Sequence, residues 1–251
     1  MNTQRLYKEN VYLSKCTATI ADITPDGIIL DRSVFFPEGG GQSSDIGTIT
    51  RMSDGTVFNV THVIENGQLL LHQTDAPGLE TGDTVQCSID WPHRFDNMQR
   101  HCGEHLLSGA MYRLYGGVNR GFHMGEHFMT ADISLEGNAD FFELTWEMAM
   151  TAEEMVNSYI WQDLPVRAQE FATPEEALKM PLRKELTIEE DIRVVTAGTD
   201  DLVADCVACC GTHPSSTAQV GLLKIYKIIF VPTLCQFIYQ ILQLGIHISK
   251  V

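Results

Sequence analysis

The chain has 251 residues, 44% of them hydrophobic, which is enough to bury a substantial core in one large domain or two small ones. Its formal net charge is −16 and the acid is spread: residues 1–90 hold 5 Lys+Arg against 12 Asp+Glu (net −7), the remainder 12 against 21 (net −9). No segment is a basic arm or tail, which argues against charge-driven, non-specific nucleic-acid binding; any such contact must use a local patch.

In chain order, the first ninety residues alternate like short strands, at 17–23, 27–30, 47–51, 57–63 and 68–73. Turn signals separate them, among them Pro25-Asp26-Gly27, Ser53-Asp54-Gly55 and Glu65-Asn66-Gly67. This spacing predicts a small β-barrel. Asp90-Trp91-Pro92-His93 then punctuates the chain. Phe95, Met98, Leu106, Leu107, Ala110, Met111 and Leu114 follow at helical spacing. Beyond them the pattern predicts a strand at 127–134, a helix at 142–162 with Glu153 and Glu154 on its solvent side, and a strand at 166–171. A short helix opens at Thr173-Pro174-Glu175-Glu176, and strands follow at 192–195, 203–207 and 221–228. The expected fold class is α+β, with a barrel domain at 1–90 and an α+β domain at 91–228.

Residues 228–249 contain no Asp, Glu, Lys or Arg. Their length would suit a bilayer span of about 20 residues, but Pro232, Gln236, Gln240, Gln243 and His247 interrupt the run. The last four fall at spacings of four, three and four, one polar stripe on a helix. The stretch 229–251 is therefore set apart as an atypical apolar tail. A replaced C-terminus that costs the domain its last strand is the favoured reading, against a docking helix or membrane contact.

Seven cysteines stand at 16, 87, 102, 206, 209, 210 and 235, and the first residues carry no apolar signal core. Reduced thiols in the cytoplasm are expected, with a metal rather than disulfides using the cysteine cluster. Two segments offer ligands four residues apart: His101-Cys-Gly-Glu-His105 and Cys209-Cys-Gly-Thr-His213. On a helix, the first spacing puts both imidazoles on one face. The second segment, closed by Pro214, is a turn. Three imidazoles and a thiolate make a sensible zinc set, catalytic with three ligands and a water, closed with four. Cys206 competes with Cys209 for the thiolate role. His123-Met-Gly-Glu-His127 repeats the spacing in a Gly-broken segment and is left out of the set, with His123 lining the same cleft. Glu104 is a general base or a carboxylate behind the ligands. In Phe35-Phe36-Pro37-Glu38-Gly39-Gly40-Gly41-Gln42 the glycines let backbone amides approach a ligand closely.

These segments, in this order, resemble the editing domain of alanyl-tRNA synthetase and the free-standing alanyl-tRNA editing (AlaX-type) deacylases. The resemblance runs from about Lys15 to about Ile228 and includes Leu30-Asp31-Arg32, the Gly-Gly-Gly-Gln loop, Met98-Gln99-Arg100-His101, His105-Leu106-Leu107-Ser108-Gly109, Asn119-Arg120-Gly121-Phe122-His123 and Cys209 through His213. It implies an N-terminal β-barrel followed by an α+β zinc editing domain of the threonyl/alanyl-tRNA synthetase type. It also implies a carboxylic ester hydrolase that removes serine, or glycine, from mischarged tRNA(Ala). Carried over, the metal ligands are His101, His105, Cys209 and His213; Gln42, Thr19 and Glu104 are the catalytic candidates; Gly39, Gly40, Gly41 and Arg100 bind substrate. Acceptor-stem contacts are expected around Arg94, Arg100, Arg113 and Arg120. The alternative is a zinc-stabilised tRNA- or protein-binding module that has lost hydrolysis.

Overall fold

The computed structural model describes residues 2–136, 144–231 and 234–242. Two compact units divide the chain, Met1–Asn97 and Met98–Val251.

The first unit holds β1 (Gln4–Arg5), α1 (Leu6–Glu9), β2 (Lys15–Thr24), β3 (Gly27–Leu30), β4 (Arg32–Ser33), β5 (Gly47–Arg51), β6 (Val57–Asn66), β7 (Leu69–Thr74) and β8 (Thr84–Ile89). Six strands close into a barrel in the order β2-β3-β7-β6-β5-β8, and β1 pairs in parallel with β4. Alternation fills the interior: Ala18 and Ile20 of β2, Ile49 of β5, Phe58 and Val60 of β6, and Val85 and Cys87 of β8 share one core. β8 was absent from the expected strands, although it alternates cleanly between buried and outward residues.

Arg94 holds this unit together from the inside. It is fully buried and ion-paired with the equally buried Asp45, and it donates from Nη1 to Val11 O (2.8 Å) and from Nη2 to Val34 O (2.7 Å). Three chain segments thus converge on one guanidinium, which satisfies the donors a buried arginine must place. Arg94 has no surface to offer an acceptor stem and leaves the expected basic patch.

α2 (Trp91–Tyr115) begins in the first unit and continues into the second. The second unit adds β9 (Val118–Met124), β10 (Met129–Ser134), α3 (Trp146–Trp161), β11 (Val166–Phe171), α4 (Pro174–Ala177), β12 (Ile192–Gly198), β13 (Val203–Ala208), a 3-10 turn (Thr217–Val220), β14 (Leu222–Val231) and β15 (Leu234–Leu242). Thr145 and Thr173 cap α3 and α4 by accepting from Met148 N and Glu176 N. The strands form two antiparallel sheets, β14-β15-β10-β9 and β11-β12-β13. Glu153, expected toward solvent, instead accepts from Ile225 N (2.6 Å) and Lys224 Nζ (2.7 Å) beside the irregular register of β14.

Within the charge-free stretch, 228–231 end β14 and 234–242 form β15. β15 lies between β14 and β10, with Phe237 and Tyr239 fully buried in the unit's main core. The glutamines taken as a helical stripe fall on the other face of this strand: Gln236 donates to Asp132 Oδ1 (2.9 Å) and Gln240 to His127 O (2.7 Å). Gln243 and His247 lie outside the described residues. Among the described residues, no helix is long and apolar enough to cross a membrane.

Two outcomes follow. Phe237→Ala should cost about 3–5 kcal/mol in urea unfolding, as for other fully buried phenylalanines; a tail lying outside the fold would show no such loss. His72 is buried in the barrel, its Nδ1 against Ile28 O (2.9 Å) and its Nε2 against Ser33 Oγ (2.8 Å). Burial pulls its pKa from 6.5 to about 4. The neutral ring is therefore the folded form, and its contribution is fully present above pH 6.5 and lost as pH falls from 6.5 toward 4. The loss reaches on the order of 3 kcal/mol, and His72→Gln should flatten the melting temperature across that window.

Candidate metal centre

Four side chains meet in the second unit: His101 and His105 from α2, and Cys209 and His213 from the loop after β13. Their ligand atoms all lie within 4.8 Å of one another. His213 Nε2 is 3.3 Å from His105 Nε2, and Cys209 Sγ is 3.5 Å from His101 Nε2 and 3.9 Å from His213 Nε2. Such a cluster could hold a metal ion.

The local structure follows from sequence. From His101 to Met111 every residue of α2 is buried, so the helix is enclosed on all sides rather than half-wet. Gly109 lets it lie against β13: a Cβ there would overlap Ala204 O and press on Asp205. This close approach brings Asp205 Oδ2 to within 3.2 Å of His105 Nδ1. Arg183 grips the same carboxylate, with Nε 2.5 Å from Oδ1. His105 is therefore oriented with Nε2 toward the cluster, by a carboxylate that is itself held. His213 is set the same way, its Nδ1 against Gly211 O (3.1 Å). The loop is pinned by Arg193, whose Nη1 donates to the carbonyls of Cys209 (2.8 Å) and Gly211 (2.9 Å). Gly211 N approaches the Cys209 sulfur at 3.4 Å.

Electrostatics match this geometry. Burial opposes ionisation of Cys209, but the three imidazoles outweigh it and hold the thiol well below its ordinary range. Burial also pulls His105 down, yet the Cys209 sulfur and Asp205 lift it to about 10. His213 is driven to about 3, chiefly by burial. Ligation needs an ionised Cys209 and an unprotonated Nε2 on His105, so metal binding at this cluster would release protons.

Of the two candidate thiolates, Cys206 points elsewhere: it packs with Ala177, Ile192 and Val194 and meets Thr196 Oγ1 at 3.3 Å. Cys210 is exposed. On β9, the Phe122 ring lies tilted against the His101 ring (5.3 Å between centroids), and the strand's alternation turns His123 outward, so His123 does not line the cluster. Glu104 is buried on α2, where Oε1 accepts from Ser108 Oγ (2.5 Å) and from Asn119 Nδ2 of β9 (2.6 Å). Arg100 donates to Gly125 O. Arg113 and Arg120 are exposed; Arg113 donates to Val203 O and Arg120 lies 3.9 Å from Glu136.

The other candidates belong to the first unit. Gly39 and Gln42 exchange backbone hydrogen bonds (3.1 Å each) around Gly40 and Gly41, whose positive φ of 60° and 78° suits glycine. Gln42 is buried. Ser44 and His62 fasten this loop: Ser44 Oγ lies 3.0 Å from His62 Nδ1, and His62 Nε2 lies 3.2 Å from Glu38 Oε2. Thr19 is exposed on β2, its N–H on Asp31 Oδ1 (2.8 Å), so it offers no buried hydroxyl partner. The sequence reading named no role for Asp205, Arg183 or Arg193. A lone carboxylate in the apolar run Val203-Ala-Asp205-Cys-Val207 was the available signal for the first.

Residues 5–93 match the family of class II (A) tRNA synthetases. An alanyl-tRNA editing protein AlaX-M of Methanosarcina barkeri is 31% identical, over 90% of this chain and 93% of its own length. The chain is a member of the alanyl-tRNA editing (AlaX) family. AlaX-L of Pyrococcus horikoshii is 33% identical over 89% of this chain, which spans about half (54%) of that protein. The alanine–tRNA ligase of Pyrobaculum aerophilum is 29% identical over 90% of this chain, a quarter (25%) of the ligase. Within this family member, Asp205→Asn should weaken metal binding by about 10–100-fold in a chelator competition, because His105 loses its anionic partner. Thermal melting of the metal-free variant separates that loss from misfolding.

Proposed function

We propose that this protein is a zinc-dependent aminoacyl-tRNA deacylase that clears mischarged tRNA(Ala), chiefly of serine and also of glycine, in the cytoplasm. The observation that carries the reading is the convergence of His101, His105, Cys209 and His213 in a chain of this family. Three of the cluster's separations compare with those of a zinc site. Bond lengths of about 2.0–2.1 Å to nitrogen and about 2.3 Å to sulfur, at tetrahedral angles, require roughly 3.3 Å between nitrogens and about 3.6 Å from nitrogen to sulfur. The 3.3 Å and 3.5 Å separations match, and 3.9 Å is slightly wide.

An aminoacyl ester is already activated, so hydrolysis needs a positioned water and stabilisation of the developing oxyanion. Zinc, when bound, would supply the Lewis acidity that polarises a water or holds the substrate's amino group. Asp205 and Arg183 keep His105 oriented, and Arg193 keeps the Cys209–His213 loop in place. Glu104 is best read as a support behind the ligands, since Ser108 and Asn119 both donate to it. By the resemblance, the amides of Gly39, Gly40 and Gly41 bind the substrate, as does Arg100, and Gln42 stands beside the active site; its buried amide is chemically suited to recognise the serine hydroxyl. A buried amide that hydrogen-bonds the serine hydroxyl, a bond alanine cannot make, would discriminate in the required sense. Thr19, being exposed, is the weaker candidate for that task.

The decisive experiment measures release of serine, glycine and alanine from separately charged tRNA(Ala), alongside metal content. Zinc-loaded protein should hydrolyse the seryl ester, spare the alanyl ester, and lose at least about 100-fold in rate with His101→Ala or after chelation, with activity returning when zinc is restored to the wild type. Folded, zinc-loaded protein that leaves the seryl ester intact would instead identify a binding module without hydrolysis.

A further inference from the structure

The barrel contains two cysteines that the metal centre does not use. Cys16 on β2 and Cys87 on β8 are direct cross-strand partners in an unbroken antiparallel register running from Lys15↔Ser88 to Thr19↔Thr84. Direct partners project to the same face, so the pairing sets the two thiols side by side. Cys87 is fully buried in the barrel core, while Cys16 is only partly buried at its edge. The Val34 N–H also reaches the Cys16 sulfur.

We propose that Cys16 and Cys87 are an oxidative modification site, closed by a peroxide into a reversible cross-strand disulfide that ties β2 to β8. The partly exposed Cys16 is the first to react. Its thiolate attacks one peroxide oxygen, the O–O bond breaks, and the sulfenic acid and one hydroxide form. The Cys87 thiol then attacks the Cys16 sulfur; the S–S bond forms, the S–O bond breaks, and the hydroxyl leaves as water with the Cys87 proton. Two thiols are oxidised and one peroxide is reduced. The neighbouring Cys87 thiol, and after it the Val34 backbone, draw Cys16 below its ordinary thiol range against the opposing effect of burial, which favours it as the attacking sulfur. Cys87 is pushed far up, chiefly by Cys16 and then by burial, and stays a thiol until the second step.

The register also makes the bond a labile one. Ile89 N bonds to Ser14 O and Ile20 N to Asp83 O, so residues 14 and 20, and by alternation 16, occupy hydrogen-bonded positions of the ladder. Such pairs hold their Cα atoms about 5.5 Å apart, inside the disulfide range of roughly 4.4–6.8 Å. Their Cβ atoms, roughly 5 Å apart, must close to about 4 Å, and a bond strained in this way is the more easily reduced.

Hydrogen peroxide treatment of the native full chain, followed by alkylation and non-reducing tryptic mass spectrometry, tests the site. The peptides 16–32 and 52–94 should appear joined, lighter by two hydrogens than their sum, and separate again in reduced glutathione. Linkage should form faster in the native protein than in urea, because the fold supplies the proximity, and Cys16→Ser should abolish it. If the native chain oxidises elsewhere, at Cys210 for example, while 16–32 and 52–94 stay unlinked, or if they link only after unfolding, the proposal falls. The readout is independent of deacylation, so it stands or fails separately from the proposed function.

Discussion

The approach of α2 to β13 is the constraint on which the metal centre depends. A helix can present two imidazoles four residues apart without help, but it cannot aim them. Aiming requires that His105 meet Asp205, and that meeting requires the helix to lie closer to the strand than any residue larger than glycine at 109 would allow. Arg183 then keeps the Asp205 carboxylate ionised in a fully buried position, which burial alone would oppose. A tight packing contact, a buried ion pair and a ligand's orientation are thus one device. The electrostatic cost of burying Asp205 is offset by Arg183 on one side and His105 on the other.

The first unit solves a similar problem differently. Arg94 is buried, and its partners are Asp45 and the carbonyls of Val11 and Val34, drawn from distant segments. Val34 leads directly into the segment that ends in the glycine loop, and Phe36 N–H donates to Asp45 Oδ2 (2.7 Å). The loop is therefore held at its root by the Arg94–Asp45 pair and at its tip by the Glu38–His62–Ser44 chain. Its glycines are consequently better understood as a placed turn than as a flexible one.

The charge-free C-terminal stretch shows how composition and structure can diverge. Read by periodicity, Gln236 and Gln240 mark a helical stripe; read as a strand, they share one face, and Phe237 and Tyr239 share the other. A spacing of four is common to both patterns, so these glutamines could not distinguish them. Pairing with β10 and β14 decided the matter, because both edges of β15 find backbone partners there and its apolar face completes the core.

Much of the fold was legible because it rests on local rules. Alternation located β3, β5 and β11 to the residue, Thr173 announced the cap of α4, and the apolar spacing after Pro92 marked α2. The ligand types and their two i, i+4 spacings were equally local, and the ordered motifs around them carried the family. What the sequence alone left open required long-range contact. On paper Cys206 competed with the favoured Cys209, and only the fold turns the one into an apolar cluster and leaves the other beside three imidazoles. Arg94 was indistinguishable from a surface arginine until Asp45 was brought to it. Asp205 had no visible purpose until a glycine on another element let a helix reach it. Residue type and spacing determine which groups are available; the tertiary structure decides which of them meet, because burial and partner choice depend on packing across tens of residues of chain.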